Sequence, residues 1–205
     1  MRLTPGVLEQ AIKLDQAGTA DVSANLNEEW LTPAGVLVPL VERRVGDHFG
    51  YHVLLTRRAR HLKNHAGQIS FPGGRQEDYD DSLKHTALRE TYEEIGIKPS
   101  QVKIIGELPQ HTTITKYVMT PFVGILPPTY SLTIDPSEVD EAFEVPLSFI
   151  LDKKNQQLQS AMFQGEKRYY YSIQYHSYNI WGATARILVE FSKRIHHTFD
   201  HCLEE

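Results

Sequence analysis

Between Gln68 and Ile97 the chain passes from a short β-like run, QISF, through Pro72-Gly73-Gly74 into its best-defined helix pattern, residues 81–95. On a helical wheel Leu83, Ala87, Leu88, Thr91 and Ile95 share one face, which should bury. Glu90 and Glu94 are i and i+4, and Glu93 is i+3 from Glu90. Like charges at these spacings repel. Their seam lies roughly a quarter turn from the centre of the apolar face, so it borders the core. A purely solubilising acid face would more naturally lie opposite. One reading is a solvated helix that happens to be acidic. The other is a hard-cation site, in which Mg²⁺ or Mn²⁺ offsets the repulsion.

The neighbourhood favours the second reading. Gly73-Gly74 lets backbone approach a ligand or metal because no Cβ intervenes, although a Gly-Gly is more often only a turn. Arg89 can fork onto a carboxylate and hold such a site in shape; on an open surface the same pair would be worth little. Just before FPGG, Arg57, Arg58, Arg60, His61, Lys63 and His65 form a basic cluster suited to phosphate, or else a solvated loop.

Around this segment, strand and helix patterns mix without regular βαβ spacing, so the expected fold is α/β, a mixed sheet between helices. Residues 5–17 read as an amphipathic helix, and 18–33 as a polar connection with another short helix. Residues 34–41 and 51–58 read as a hairpin, with Pro39 placing a bulge or an edge position in the first strand. Further strands are expected at 102–108 and 117–126, and a hairpin over 162–175 turning at Gln164–Lys167. Residues 137–151 are acidic and then apolar, and read as partly helical; 180–195 reads as a strong helix. Tyr169, Tyr170, Tyr171, Tyr175 and Tyr178 suit a core or interface better than adenine stacking, and Trp181 suits packing.

With 205 residues the expectation is one domain, 34–205, with residues 1–33 as a helical extension packed on it. Cys202 is the single cysteine, which excludes an internal disulfide framework and fits a reducing, cytoplasmic setting. The N-terminal residues lack the apolar core of a signal peptide, and no run approaches a membrane span. A net charge of −5 argues against a general nucleic-acid binder but not against a phosphate-bearing small molecule, because a bound metal can reverse the local sign.

Residues 74–97 resemble the Nudix box, the signature of hydrolases that cleave a nucleoside diphosphate linked to another moiety. Arg89-Glu90, the variable pair Thr91-Tyr92, Glu93-Glu94 and Ile95-Gly96-Ile97 fit it. The first half departs: there is one extra residue, and Asp80 or Asp81 stands where the pattern has Glu. A subfamily, the coenzyme A pyrophosphatases, is similar in just this way. Its longer signature matches Leu54-Leu55-Thr56-Arg57-Arg58, Leu62, His65 to Gly74, then Ser82 and Thr86-Ala87-Leu88-Arg89-Glu90, with Ile69 for Val. The matching block covers about a fifth of the chain, with weaker echoes at 120–126, 138–151 and 179–188.

The resemblance implies an α/β/α sandwich and metal-dependent hydrolysis of coenzyme A or a derivative to 3′,5′-ADP and 4′-phosphopantetheine. It implies Glu90 and Glu94 as metal ligands, Glu93 on a second ion or acting through water, and the Gly73 carbonyl as a further ligand. Arg89 shapes the site, and Gly74, Arg57, Arg58, Arg60 and His65 face the substrate. Glu138 and Glu141 are candidates for the general base; acids there also suit a helix N-terminus. Two alternatives stand beside this reading: a Nudix hydrolase of another diphosphate such as ADP-ribose, and a non-catalytic nucleotide-binding regulator. A homodimer is an open option.

Overall fold

The protein is described here by a computed structural model, in which residues 3–13, 31–46 and 48–202 are described. Its centre is an eight-stranded sheet built from β1 (Thr32–Val45), β2 (His48–Arg58), β3 (Ile69–Ser70), β4 (Gly73–Arg75), β5 (Lys103–Glu107), β6 (His111–Thr112), β7 (Tyr117–Leu126) and β8 (Val139–Pro146). The main path runs β3-β2-β1-β7-β5, with β4 beside β1, β6 beside β7 and β8 beside β2. β1 and β7 are parallel, and the other pairings in this sheet are antiparallel, so the sheet is mixed, as expected.

Strand alternation explains why helices cover both faces. Val36, Val38 and Leu40 of β1 enter one cluster with Leu8 and Ile12 of α1 (Pro5–Lys13) and with Leu188, Phe191 and Ile195 of α4 (Ala183–Cys202). Leu37 and Val41 point the other way, toward Ala87 and Ile95 of α2 (Leu83–Ile95). A short α3 (Leu147–Leu151) follows β8. No described helix is long and apolar enough to cross a membrane.

Several expectations change. Residues 14–17 of the first predicted helix, and 18–30 of the connection after it, lie outside the described residues. Pro39 is not at a sheet edge: β1 is central, between β2 and β7. Leu37 donates its N–H to Pro72 O at 2.9 Å, so by alternation Pro39 faces the same side. There the β1–β2 ladder starts at Leu40↔Val53 and the β1–β4 ladder ends at Val36↔Gly73. The residue without an N–H thus occupies the gap between two partner strands.

Residues 139–146 are strand, not helix, because they add an outer strand to β2; the helical part is 147–151 alone. Residues 178–181 form β11, which pairs with β10 (Glu166–Tyr175), and β10 pairs with β9 (Gln157–Phe163) in a separate three-stranded sheet. The last helix therefore starts at Ala183, later than its apolar pattern suggested. Trp181 meets the edge of Tyr170 and stays 42% exposed.

α2 packs very closely on β1. A Cβ at Gly35 would lie 2.0 Å from the Leu83 carbonyl oxygen, which is backbone and cannot turn aside. Gly35→Ala is expected to cost about 3 kcal/mol, the upper part of the overpacking range, read as a lower urea midpoint with an unchanged m-value.

Candidate functional site

The site begins where β1 and β2 part. β2 keeps β3 as its neighbour, through Thr56↔Ser70, while β1 takes β4, through Val36↔Gly73. Phe71 and Pro72 cross the gap between them. The Gly-rich segment is thereby fixed at both ends by ladders and laid against α2. A Cβ at Gly74 would fall 2.5 Å from the Glu90 carboxyl carbon, so glycine is what allows that approach.

α2 is closed at both ends. Ser82 Oγ accepts the His85 N–H at 3.2 Å, and Gly96, at φ 76°, donates to Tyr92 O. Its buried residues are Thr86, Ala87, Thr91, Glu94 and Ile95. Leu88 is only partly buried, so the inner face is turned toward the glutamates more than the wheel placed it.

Asp80 resolves the irregular first half of the box. Arg89 Nε and Nη2 donate to its two oxygens, both at 2.9 Å. Thr86 Oγ1 and the Glu77 N–H also donate to Asp80 Oδ2, each at 3.0 Å. Asp80 is buried, and the Arg89 fork holds its carboxyl well below the usual carboxylate range. Asp81 is exposed. Arg89 Nη1 reaches the other way, 2.6 Å from Glu93 Oε2 and 3.0 Å from Glu90 Oε1.

Among the described residues, Glu90, Glu94 and Glu138 offer carboxylate oxygens within 4.8 Å of one another. Glu94 is 2% exposed. Its Oε2 accepts the Gly73 N–H at 3.3 Å, and its Oε1 lies 3.9 Å from Arg58 Nη1. These contacts do not offset burial, which pushes its carboxyl up to about 8. Burial also raises Glu90, against the pull of Arg89. Three crowded carboxylates, one of them starved of solvent, fit a divalent oxygen-seeking ion better than any uncharged ligand.

The other predicted residues are placed less uniformly. Glu93 is half exposed and bound to Arg89, outside the three-carboxylate cluster. Glu138 joins the cluster because β8 lies along β2, with the Ala59 N–H donating to Glu138 O at 2.8 Å. Glu141 is instead engaged by Arg57, at 2.8 Å, and accepts from Tyr178 Oη at 3.3 Å. Arg60 is exposed beside Asp140, at 3.7 Å, and His65 Nδ1 lies 2.8 Å from Gln68 Oε1. Of the basic residues expected to face the substrate, Arg58 is the one that pairs with the cluster among the described residues, through Glu94, whereas Arg57 and Arg60 pair with Glu141 and Asp140.

Sequence reasoning placed Tyr178 among core or interface tyrosines but did not connect it to Arg57 and Glu141. Its ring stacks on Phe143 with centroids 3.6 Å apart, and the Arg57 guanidinium lies 5.0 Å above it. No local pattern marks that contact, because β11 and β8 meet only through the fold.

The NUDIX domain family model matches residues 30–164. The chain belongs to the Nudix family. A relative in Escherichia coli O7:K1, named as the uncharacterized Nudix hydrolase NudL, is 38% identical over 172 residues, covering 83% of this chain and 87% of that protein. A protein of the same name in Shigella boydii serotype 18 matches with the same identity and coverage. Solved Nudix folds agree at low identity. A MutT/nudix family protein from Enterococcus faecalis has a TM-score of 0.55 at 16% identity, covering 96% of this chain and 76% of that one. The MutT protein from Methanosarcina mazei Go1 has 0.50 at 20%, covering 84% and 97%. These last two bear on the fold alone. The Nudix box thus supplies both the Asp80–Arg89 clasp and two of the three clustered carboxylates.

Two outcomes test this geometry. Asp80→Asn leaves the Arg89 charge without its main partner and is expected to cost about 3–5 kcal/mol in urea unfolding. Glu94 gives a pH signature. Its carboxyl titrates near 8 in the fold against an ordinary 4.5, so the fold favours the neutral acid. In metal-free protein that stability is fully present below 4.5 and is lost as pH rises through 8. The melting temperature in EDTA is expected to fall over that window in wild type and to fall less in Glu94→Gln. Mn²⁺ is expected to raise it at pH 8 in wild type and much less in the variant.

Proposed function

We propose that this Nudix hydrolase cleaves the diphosphate of coenzyme A or its derivatives, giving 3′,5′-ADP and 4′-phosphopantetheine or its acylated form. One observation carries the reading: the two ends of the stretch from Leu54 to Gly74, which resembles the coenzyme A pyrophosphatase signature, come together as one wall beside the carboxylate cluster. Thr56 pairs with Ser70 in that wall, Arg58 stands beside Glu94, and the Gly73 N–H donates to Glu94. In this reading residues 34–205 are the catalytic domain, and residues 1–33 are an extension whose α1 contributes Leu8, Ala11 and Ile12 to the core.

Glu90 and Glu94 would hold a Mg²⁺ or Mn²⁺ ion, with Glu138 in the same carboxylate cluster and the Gly73 carbonyl as a further ligand. Such an ion neutralises charge on the phosphoryl oxygens and lowers the pKa of a bound water. Glu138, half-buried on the loop before β8, takes the proton of the attacking water. Glu141 does not serve as base; its carboxylate holds Arg57 against Tyr178. Arg89 keeps Glu90 in register while Asp80 anchors it. Arg58 offers a guanidinium to the diphosphate, for which its planar fork is well suited.

The test is a product assay with coenzyme A and, separately, ADP-ribose, each with Mg²⁺ or Mn²⁺. The expected outcome is 3′,5′-ADP from coenzyme A, with Glu94→Gln slower by on the order of a hundredfold or more. Cleavage of ADP-ribose without coenzyme A would keep the metal site and remove the substrate assignment. No turnover of either by a protein that still binds Mn²⁺ would favour a nucleotide-binding regulator.

A further inference from the structure

β8 joins β2 through an irregularity close to the carboxylate cluster. The ladder is regular from His52↔Pro146 to Thr56↔Ala142 and Arg57↔Glu141. The next pair is Arg58↔Val139. β8 therefore carries one extra residue, Asp140, in a β-bulge just after Glu138. A bulge re-aims the chain beyond it, and its extra residue has no ladder partner of its own.

Glu138 hangs between two anchors. On its N-terminal side the turn is fastened to α2. The Asp135 N–H donates to Glu94 O at 3.0 Å, and the N–H groups of Glu138 and Val139 both donate to Asp135 O. On its C-terminal side the path into β8 runs through the bulge. Asp140 is exposed, and its partner Arg60 stands 3.7 Å away with a side chain 75% exposed, so that pair is worth little. Val139 is buried in one cluster with Leu54 and Ile95, an apolar contact that sets depth but not direction.

The directional contacts lie on the other face of the strands. Leu55 and Phe143 join the core cluster of α4, so by alternation Arg57 and Glu141 face that side, while Arg58 faces α2 and Glu94. Arg57 Nη1 is 2.8 Å from Glu141 Oε1, an oxygen shut off from solvent that takes no hydrogen bond among the described residues. The guanidinium is thus what balances it. Tyr178 Oη donates to Glu141 Oε2 at 3.3 Å, and its ring stacks on Phe143 and lies 5.0 Å from the Arg57 guanidinium. A side chain of β11 therefore braces the last regular pair before the bulge.

We propose that Arg57 and Glu141 are positioning residues: braced by Tyr178, their pair fixes the bulge at Asp140 and so holds Glu138 beside Glu90 and Glu94. The inference rests on the reading of Glu138 as the group that takes the proton of the attacking water. Without the pair, the extra residue can fall at Asp140 or at Glu141, and the two placements aim residue 138 differently. The three carboxylates lie within 4.8 Å of one another, so a small shift of one of them matters. A misplacement of about 1 Å costs on the order of a hundredfold in rate. Arg57 then acts through the strand and makes no contact with phosphate, although it adjoins Arg58 in a basic run.

Steady-state kinetics are to be run with whichever of coenzyme A and ADP-ribose is cleaved, in wild type, Arg57→Met, Glu138→Gln and the double variant. Arg57→Met is expected to lower kcat about tenfold to a hundredfold. KM, and the Mn²⁺ affinity by calorimetric titration, are expected to stay within about twofold. In the Glu138→Gln background the same change is expected to cost less than about twofold, because the group it misplaces is already gone. Arg57→Lys keeps the charge and is expected to recover most of kcat. Tyr178→Phe keeps the stack and loses only the O–H; it is expected to lower kcat severalfold at unchanged KM, and it serves if Arg57→Met does not fold. Metal-free protein gives a readout independent of turnover. Arg57→Met combined with Glu141→Gln is expected to unfold at the urea midpoint of the worse single variant, as one shared contact requires. A raised KM at unchanged kcat, or an equal loss in both backgrounds, makes Arg57 a phosphate contact and overturns the proposal, as do additive urea shifts. Wild-type kcat in Glu138→Gln removes the base assignment, and the positioning role with it. Turnover of neither substrate removes the reaction on which both depend.

Discussion

The fork from Arg89 to Asp80 fixes the rest of the site. It ties the turn after β4 to the middle of α2 through two 2.9 Å contacts, and Thr86 and the Glu77 N–H complete the shell of Asp80. A buried charge pair of this kind adds little over a well-packed apolar pair, but losing one member strands the other. Its consequence is geometric. With one side of the guanidinium committed, Nη1 can face only along the helix, where it meets Glu90 and Glu93. Those two acids are partly neutralised. Glu94 lies out of reach, and Arg58 approaches it only to 3.9 Å. Burial raises Glu94 first of all, and Arg89, committed to Glu90 and Glu93, does not reach it to offset that.

The sheet places this clasp beside the Gly-rich segment by dividing its own centre. β1 and β2 begin as a regular antiparallel pair and separate where Pro39 cannot donate. β3 and β4 fill the two arms of the opening. The backbone polar groups exposed by the split are taken up again, for instance by the Leu37 N–H on Pro72 O. The opening is supported from both sides: Gly35 lets α2 sit on β1 below it, and β8 brings Glu138 along the outer side of β2. A site held by ladders on three strands and by a capped helix has few soft directions, which suits a reaction that depends on positioning.

The parts of this arrangement that were legible in sequence are those governed by short-range rules. The acidic helix, the turn at Gln164-Gly165 and the strand at 117–126 follow from periodicity and turn chemistry over a few residues. Glu90 and Glu94 were readable because i and i+4 positions must converge. The long-range pairings were not. Pro39 read as an edge residue because a local rule cannot see a gap between two partner strands. Residues 139–146 carried acids and apolar groups that suit a helix start as well as a strand, and only the free side of β2 decides between them. The wheel placed Leu88 inward, whereas the approach of the Gly-rich segment turned Thr86 and Glu94 in. Tyr178 and Phe143 stack because β11 reaches back to β8, a contact with no local signal.

The arginines around the site show how an acidic cluster could still receive an anionic substrate. Most of them are already committed, and largely to β8 or the turn before it. Arg43 forks onto Glu144, Arg57 pairs with Glu141, and Arg60 leans on Asp140. These contacts align β1, β2 and the loop after β2 with the acidic strand, so they orient charge without leaving much of it for a ligand. Arg58 differs. Its partner Glu94 is distant for an ion pair, and the fold favours that carboxyl in its neutral form. In the proposed reaction an ion would take up the negative charge of Glu94, and the weak attraction that holds Arg58 toward it would fall further. The guanidinium would then be free to turn to phosphate at the moment the ion is in place. In that reaction the same local charge change that completes the metal site would supply the cation that a diphosphate needs, without any other arginine giving up its structural partner.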